Sequence, residues 1–302
     1  MKSPFSHIVV PVDGSSTSER GVRFALEILA PGGTVTFCSA YDITAACLPA
    51  AQGAAIDPGP MIEALEENAE LFCESALERA RAAGIRASRQ VIQGGTVGAV
   101  RRFAERIGAD AIVVGTHART GLARAVAGSV AEGFLRESAV PVIAVHDDDA
   151  AENDGPIAVA IDGSAPSEAA LDVALAIAAA SQAELALIHV VDELEAGLEP
   201  PGVETAAEKA REAGASFTTI VRAGSDTADE LIAAAAALDC RAIVTGTHAR
   251  AAVPRFFLGS VANALVERAR VPVIAVRKPY RAAATAPPQA EQPQQPIPAA
   301  AP

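Results

Sequence analysis

One block of this 302-residue chain occurs twice. Gly115-Thr116-His117-Ala118-Arg119 returns as Gly246-Thr247-His248-Ala249-Arg250. Gly128-Ser129-Val130-Ala131 returns as Gly259-Ser260-Val261-Ala262, and Val140-Pro141-Val142-Ile143-Ala144-Val145 as Val271-Pro272-Val273-Ile274-Ala275-Val276. The offset is 131 residues throughout that block. Upstream, Val12-Asp13-Gly14-Ser15 is echoed by Ile161-Asp162-Gly163-Ser164 at an offset of 149, so the second copy is 18 residues shorter and the loss falls between the two blocks. A period this long means two copies of a domain, not a solenoid, whose repeats run to about 20–50 residues.

The length suits two ordinary domains, and 50% hydrophobic residues suffice for two cores. A net charge of −13 argues against a nucleic-acid binder, which needs a basic face. Cys38, Cys47, Cys73 and Cys240 show no CxxC spacing and do not recur between copies, which reads as reduced thiols in a cytoplasmic protein. No apolar run reaches membrane-spanning length, and Met-Lys-Ser-Pro leads into a strand pattern without a signal-peptide core.

Apolar strand segments alternate with helical ones in both copies. In the first, strands are expected at residues 7–12, 34–41, 87–93, 111–114 and 140–145. Ser16-x-x-Glu19 reads as a capping box opening a helix that runs to about Leu29. A Pro/Gly/Ala-rich stretch, residues 48–60, leads into a long charged helix at 61–83 with Gly84 as its C-cap. Helices follow at 96–107 and 129–137. Strands apolar on both faces and separated by helices give the fold class α/β, two doubly wound five-stranded parallel-sheet domains of Rossmann-like type. The domains span residues 1–147 and 155–278, and the Ala/Pro/Gln-rich tail, 279–302, is expected to be disordered. The two closing strands, nearly identical apolar edges, are expected to pair antiparallel about a local two-fold, making an internal pseudo-dimer centred on Ile143 and Ile274.

Ligands of such sheets sit at the carboxyl ends of the strands, where the strand order reverses. Asp13 ends the first strand, Gly115 follows the fourth, and Gly128-Ser129 opens a helix whose free N–H groups and dipole favour an anion. Arg119 and Arg124 add positive charge between them. Asp162, Gly246, Arg250, Arg255, Gly259 and Ser260 repeat the arrangement. The bland reading is that these are tight turns and plain helix caps. His117 and His248 read as loop or cleft-wall residues rather than general bases, because no nucleophile recurs beside them. His7, His146 and His189 do not recur and read as incidental.

These motifs, the strand-ending Val-Asp-Gly-Ser, the Gly-Thr-His-x-Arg loop, the Gly-Ser beyond it and the closing Val-Pro-Val-Ile-Ala-Val, together resemble those of tandem universal stress proteins, across about residues 4–278. The resemblance implies an adenine nucleotide alpha hydrolase-like fold and, in the family's ATP-binding members, a Gly-x2-Gly-x9-Gly-Ser/Thr loop. Here the middle glycine is Ala118 or Ala249, and a position often Ser or Thr in the family is Ala131 or Ala262. The nucleotide neighbours it implies are Pro11, Val12, Asp13, Ala40, Val114, Gly115, His117, Ala118, Arg119 and Gly128 to Ala131 in the first copy. In the second they are Ala160, Ile161, Asp162, Val190, Thr245, Gly246, His248, Ala249, Arg250 and Gly259 to Ala262.

The expectation is therefore a nucleotide-dependent stress adaptor that binds ATP, with Mg2+ or Mn2+ held by Asp13 or Asp162 through the phosphates and at most slow hydrolysis. The expected partners are the adenine nucleotide and a protein of unknown identity, with no nucleic acid and no membrane; a further homodimer is possible. The long arm of the first copy points to that copy as the binding one. Alternatives are a family member that binds no nucleotide and serves as an interaction or dimerisation module, and a true hydrolase using the same cleft.

Overall fold

A computed structural model of the chain describes residues 5–51, 57–116, 129–146, 154–193, 202–247 and 259–277. The tail 279–302, most of the linker and the loop residues 117–128 and 248–258 lie outside them. The first repeat runs β1 (His7–Pro11), α1 (Ser16–Ile28), β2 (Thr34–Tyr41), α2 (Thr44–Ala51), α3 (Gly59–Ala82), β3 (Arg86–Gln93), α4 (Thr96–Arg106), β4 (Ala111–Thr116), α5 (Ser129–Glu137) and β5 (Val142–His146). The second runs β6 (Ile157–Ala160), α6 (Ala165–Ser181), β7 (Leu185–Val191), α7 (Val203–Glu212), β8 (Phe217–Ala223), α8 (Thr227–Ala237), β9 (Ala242–Gly246), α9 (Ser260–Arg268) and β10 (Val273–Val276).

All ten strands form one sheet in the order β3-β2-β1-β4-β5-β10-β9-β6-β7-β8. Within each repeat every pairing is parallel. The seam between repeats is the one antiparallel pairing among the described strands. It aligns Val273 with Ala144, Ile274 with Ile143 and Ala275 with Val142. The expected pseudo-dimer centre is therefore the observed one, and each closing strand covers the edge of the other.

Alternate residues of each strand feed two separate cores. Val10, Phe37 and Val113 pack under α1 and α3, and their counterparts under α6 and α7. Val9, Cys38 and Ile112 pack under α4 and α5, and their counterparts under α8 and α9. This double-sided burial is why the strands read as continuous apolar runs.

Three local expectations need correction. An additional helix, α2, precedes and enters the Pro/Gly/Ala-rich stretch, and its weak apolar periodicity hid it. The N-cap of α1 is Ser15, not Ser16: its side chain accepts from the Ser18 N–H, because the Asp13 turn leaves Ser15 in extended backbone. The closing strand of the first repeat is β5 as given above, two residues later in its start than 140–145. The 24-residue α3 has a 10-residue counterpart, α7, in the second repeat, which is where the copies differ in length. Among the described residues no helix is long and apolar enough to cross a membrane.

Candidate functional site

β1 lies between β2 and β4, so the chain leaves it in opposite directions on its two sides; β6 has the same place between β7 and β9. That is the strand-order reversal at which open α/β sheets bind ligands. Asp13 and Asp162 stand just past β1 and β6. Asp13 Oδ1 accepts from the Ser15 N–H at 3.0 Å and from the Ser15 hydroxyl at 2.6 Å, and Asp162 Oδ1 accepts from the Ser164 N–H at 2.9 Å. Between them Gly14 and Gly163 take φ of +74° and +73°, which a side chain would oppose. Ser18 and Ser167 each donate a hydroxyl back to the capping residue at 3.0 Å. The turn is thus the same in both copies and is held by its own side chains. Burial pushes the Asp13 carboxyl up, yet hydrogen bonds from Ser15 and Ser18 prevail and hold it below the usual carboxylate range.

The first turn of α1 crosses directly over the end of β4. A Cβ on Gly115 would lie 2.5 Å from the Thr17 carbonyl carbon, and one on Gly246 would lie 2.7 Å from that of Pro166. Helix packing alone therefore demands glycine at both positions, so close approach of a ligand is not needed to explain them. The same contact brings the Asp13 turn and the end of β4 together, as the motif spacing predicts.

In the second repeat the end of β9 and the start of α9 are joined by a backbone hydrogen bond. The Gly259 N–H donates to the Thr247 carbonyl at 2.8 Å, and the Thr247 N–H to Val276 at 3.0 Å. Gly259 is the N-cap of α9 and has no side chain to offer its N–H groups. An uncapped helix start therefore sits beside the end of β9. Gly259 has φ −61°, a conformation any residue adopts, so backbone strain does not explain it. Ala131 and Ala262 are buried in the core behind the cleft, and only their backbone can face a ligand.

Ala40, Val114, Ala160 and Val190 line the α4/α5 and α8/α9 side of the sheet, with Val130 and Val261. Val12 and Ile161 turn to the opposite core; Pro11 is buried at the end of β1 and Thr245 near the end of β9. Ser129 opens α5. His117, Ala118, Arg119, Arg124, Gly128, His248, Ala249, Arg250 and Arg255 lie outside the described residues. The long α3 of the first repeat packs on the α1 side, away from Ala40 and Val114, so its body does not cover the expected adenine neighbours. Sequence reasoning missed His189, whose Nδ1 donates to the Ile161 carbonyl at 2.6 Å; no spacing signal marks it. Among the described residues no group of three or more His, Cys, Asp or Glu side chains could hold a metal ion.

Two doubly wound domains joined edge to edge, each with an acidic turn beside a strand end that carries a glycine, define a tandem α/β protein. The chain belongs to the universal stress protein family, which matches residues 4–146 and 155–277. A universal stress protein of Mycobacterium tuberculosis is 32% identical over 188 residues, 56% of this chain and 62% of that relative, so the chain spans less than two thirds of its length. One of Bacillus subtilis is 32% identical over 143 residues, 39% of this chain and 96% of the relative. The crystal structure of a universal stress protein from Archaeoglobus fulgidus covers 90% of this chain and 98% of its own, with TM-score 0.73 and 22% identity, a likeness of fold.

Proposed function

We propose that the chain binds an adenine nucleotide, ATP above all, in the cleft beyond β1 and β4, beyond β6 and β9, or in both. The observation that carries this reading is the Gly259-to-Thr247 hydrogen bond. It returns the chain to the strand end and leaves an uncapped helix start facing the cleft, where phosphate oxygens can accept from free N–H groups. Ala118, Arg119, Ala249 and Arg250 would border the phosphates on the loops. A bound Mg2+ or Mn2+ would offset phosphate charge. Asp13 and Asp162 fit it through the nucleotide rather than directly, since one oxygen of each is already engaged by the turn.

In this reading the protein serves as a nucleotide-dependent adaptor in the stress response, with at most slow hydrolysis. The proposal includes a cytoplasmic setting, where ATP and reduced thiols coexist. Cys38, Cys73 and Cys240 are buried and unpaired; burial raises the Cys38 thiol well above its ordinary range and pushes Cys73 up to about 11. The competing reading, an interaction module without nucleotide, is favoured by Ala118 and Ala249 in place of the middle glycine. Mass spectrometry of gently purified full chain separates the two. Co-purified adenine nucleotide supports the first; its absence, with no calorimetric response to millimolar ATP or ADP, supports the second.

A further inference from the structure

Asp110 and Arg241 hold the same place in the two repeats, one residue before β4 and one before β9. The backbone treats them alike: Asp110 N–H donates to the His7 carbonyl at 2.8 Å and Arg241 N–H to that of Pro156 at 2.9 Å. The side chains differ. The Asp110 carboxylate is buried and accepts from the Ser6 and His7 N–H groups. The half-buried Arg241 donates from Nε to the Gly155 carbonyl at 2.8 Å. That bond fixes the guanidinium plane, and neither Nη group has a partner among the described residues.

Arg241 lines a cavity of about 160 Å³ that both repeats build. Phe24 and Ile28 of α1 and Ile177 of α6 form its walls, and Ile157, Ala242 and Ile274 its floor. The floor residues are fully buried, and Ile274 is the centre of the seam. An apolar cavity of about 150 Å³ is large enough to hold a benzene ring. Arg241 is the one cation among the described lining residues. Glu27 stands exposed at the rim and is already engaged. Ile157 and Ala242 open β6 and β9, so the cavity lies at the other end of these strands from the nucleotide cleft proposed for the second repeat. Its walls belong to the core under α1 and α6, whereas Ala160, Val190 and Val261 belong to the other.

We infer that the seam cavity binds a small apolar carboxylic acid about the size of benzoate. Its body rests against Phe24, Ile177 and Ile274, and its carboxylate accepts from the Arg241 Nη groups, whose planar fork matches two carboxylate oxygens. The Glu27 carboxylate and the carbonyl ends of α1 and α6 disfavour an anion that brings no apolar body, such as phosphate. At the matched place in the first repeat, Asp110 would repel the same acid. The inference does not depend on nucleotide binding.

Proteins carry no fluorine, so para-fluorobenzoate can be followed by fluorine NMR without background. Titration with the full chain should broaden its line saturably at millimolar ligand, and excess ATP or phosphate should leave the binding unchanged. Arg241→Gln keeps an amide donor for Gly155 but removes the charged fork, and should weaken binding by about tenfold or more. Ala180→Phe, which fills the cavity from its exposed rim, should weaken it as much while melting stays as in the parent. Para-fluorobenzylamine, with the charge reversed, should not bind. The inference is overturned by no saturable broadening of the acid. It is equally overturned by affinity indifferent to both variants, by displacement with ATP or phosphate, or by the amine binding as well as the acid.

Discussion

His146, at the end of β5, donates from Nε2 to the carbonyl of Val266 in α9 at 2.6 Å, so a fully buried side chain of one repeat caps a helix end of the other. Arg277 stands at the same place in the second repeat and returns the contact, donating to the Arg136 carbonyl at 3.1 Å and the Ser138 carbonyl at 3.4 Å around the end of α5. A donor at a helix C-terminus satisfies carbonyls that the helix leaves unpaired and meets the negative end of its dipole. His146→Ala would leave the Val266 carbonyl buried without that donor. The expected cost is about 1–3 kcal/mol, read as a lower urea midpoint for both repeats at once. Arg277→Ala, nearer solvent, should cost less.

The seam itself carries a stronger prediction. Ile143 and Ile274 face each other at its centre, both fully buried. Ile143→Asp or Ile274→Asp would place an unpaired carboxylate there, at a cost of at least about 4 kcal/mol. Calorimetry should show both repeats melting together and earlier. Loss confined to the mutated repeat would mean that the ten-stranded sheet is not one cooperative unit.

Gly115 and Gly259 should respond differently. Gly115→Ala drives a Cβ into the α1 backbone and should destabilise the protein by about 1–3 kcal/mol whether or not nucleotide is present. Gly259→Val, at a backbone conformation open to any residue, should act on nucleotide affinity more than on melting. Thermal melts paired with binding titrations of the two variants check the contrast.

The Asp13 turn sets an acid limit. Its carboxyl is depressed in the fold, so the stability it contributes is present above the usual aspartate value of about 3.9 and is lost as pH falls through the lower folded value. Ser15→Ala removes a hydroxyl bond to Asp13 and the cap of α1. NMR titration of the Asp13 carboxyl should show an upward shift in the variant, and the neutral-pH stability should fall by about 0.5–2 kcal/mol.

Much of this was legible in the sequence, because a repeat fixes what alternatives are worth considering. The alternating strands, the two-fold seam and the meeting of Asp13 with Gly115 follow from patterns that recur in register. What did not recur was not legible. His146 and Arg277 occupy matched places with different chemistry, so comparison of the copies marked the histidine as incidental. The reason for Gly115 was hidden because helix crossing and ligand approach both require a missing Cβ. The short helix α2 carries almost no apolar periodicity by which it could be found.

The most direct test of the nucleotide reading is a calorimetric titration of the full chain with ATP and Mg2+, alongside Gly128→Val, Gly259→Val and the double variant. The account predicts saturable binding to the parent, loss of whichever site the single substitution blocks, and no binding to the double variant at unchanged melting temperature. Absence of binding to the parent at millimolar ATP, or binding that survives in the double variant, would contradict it.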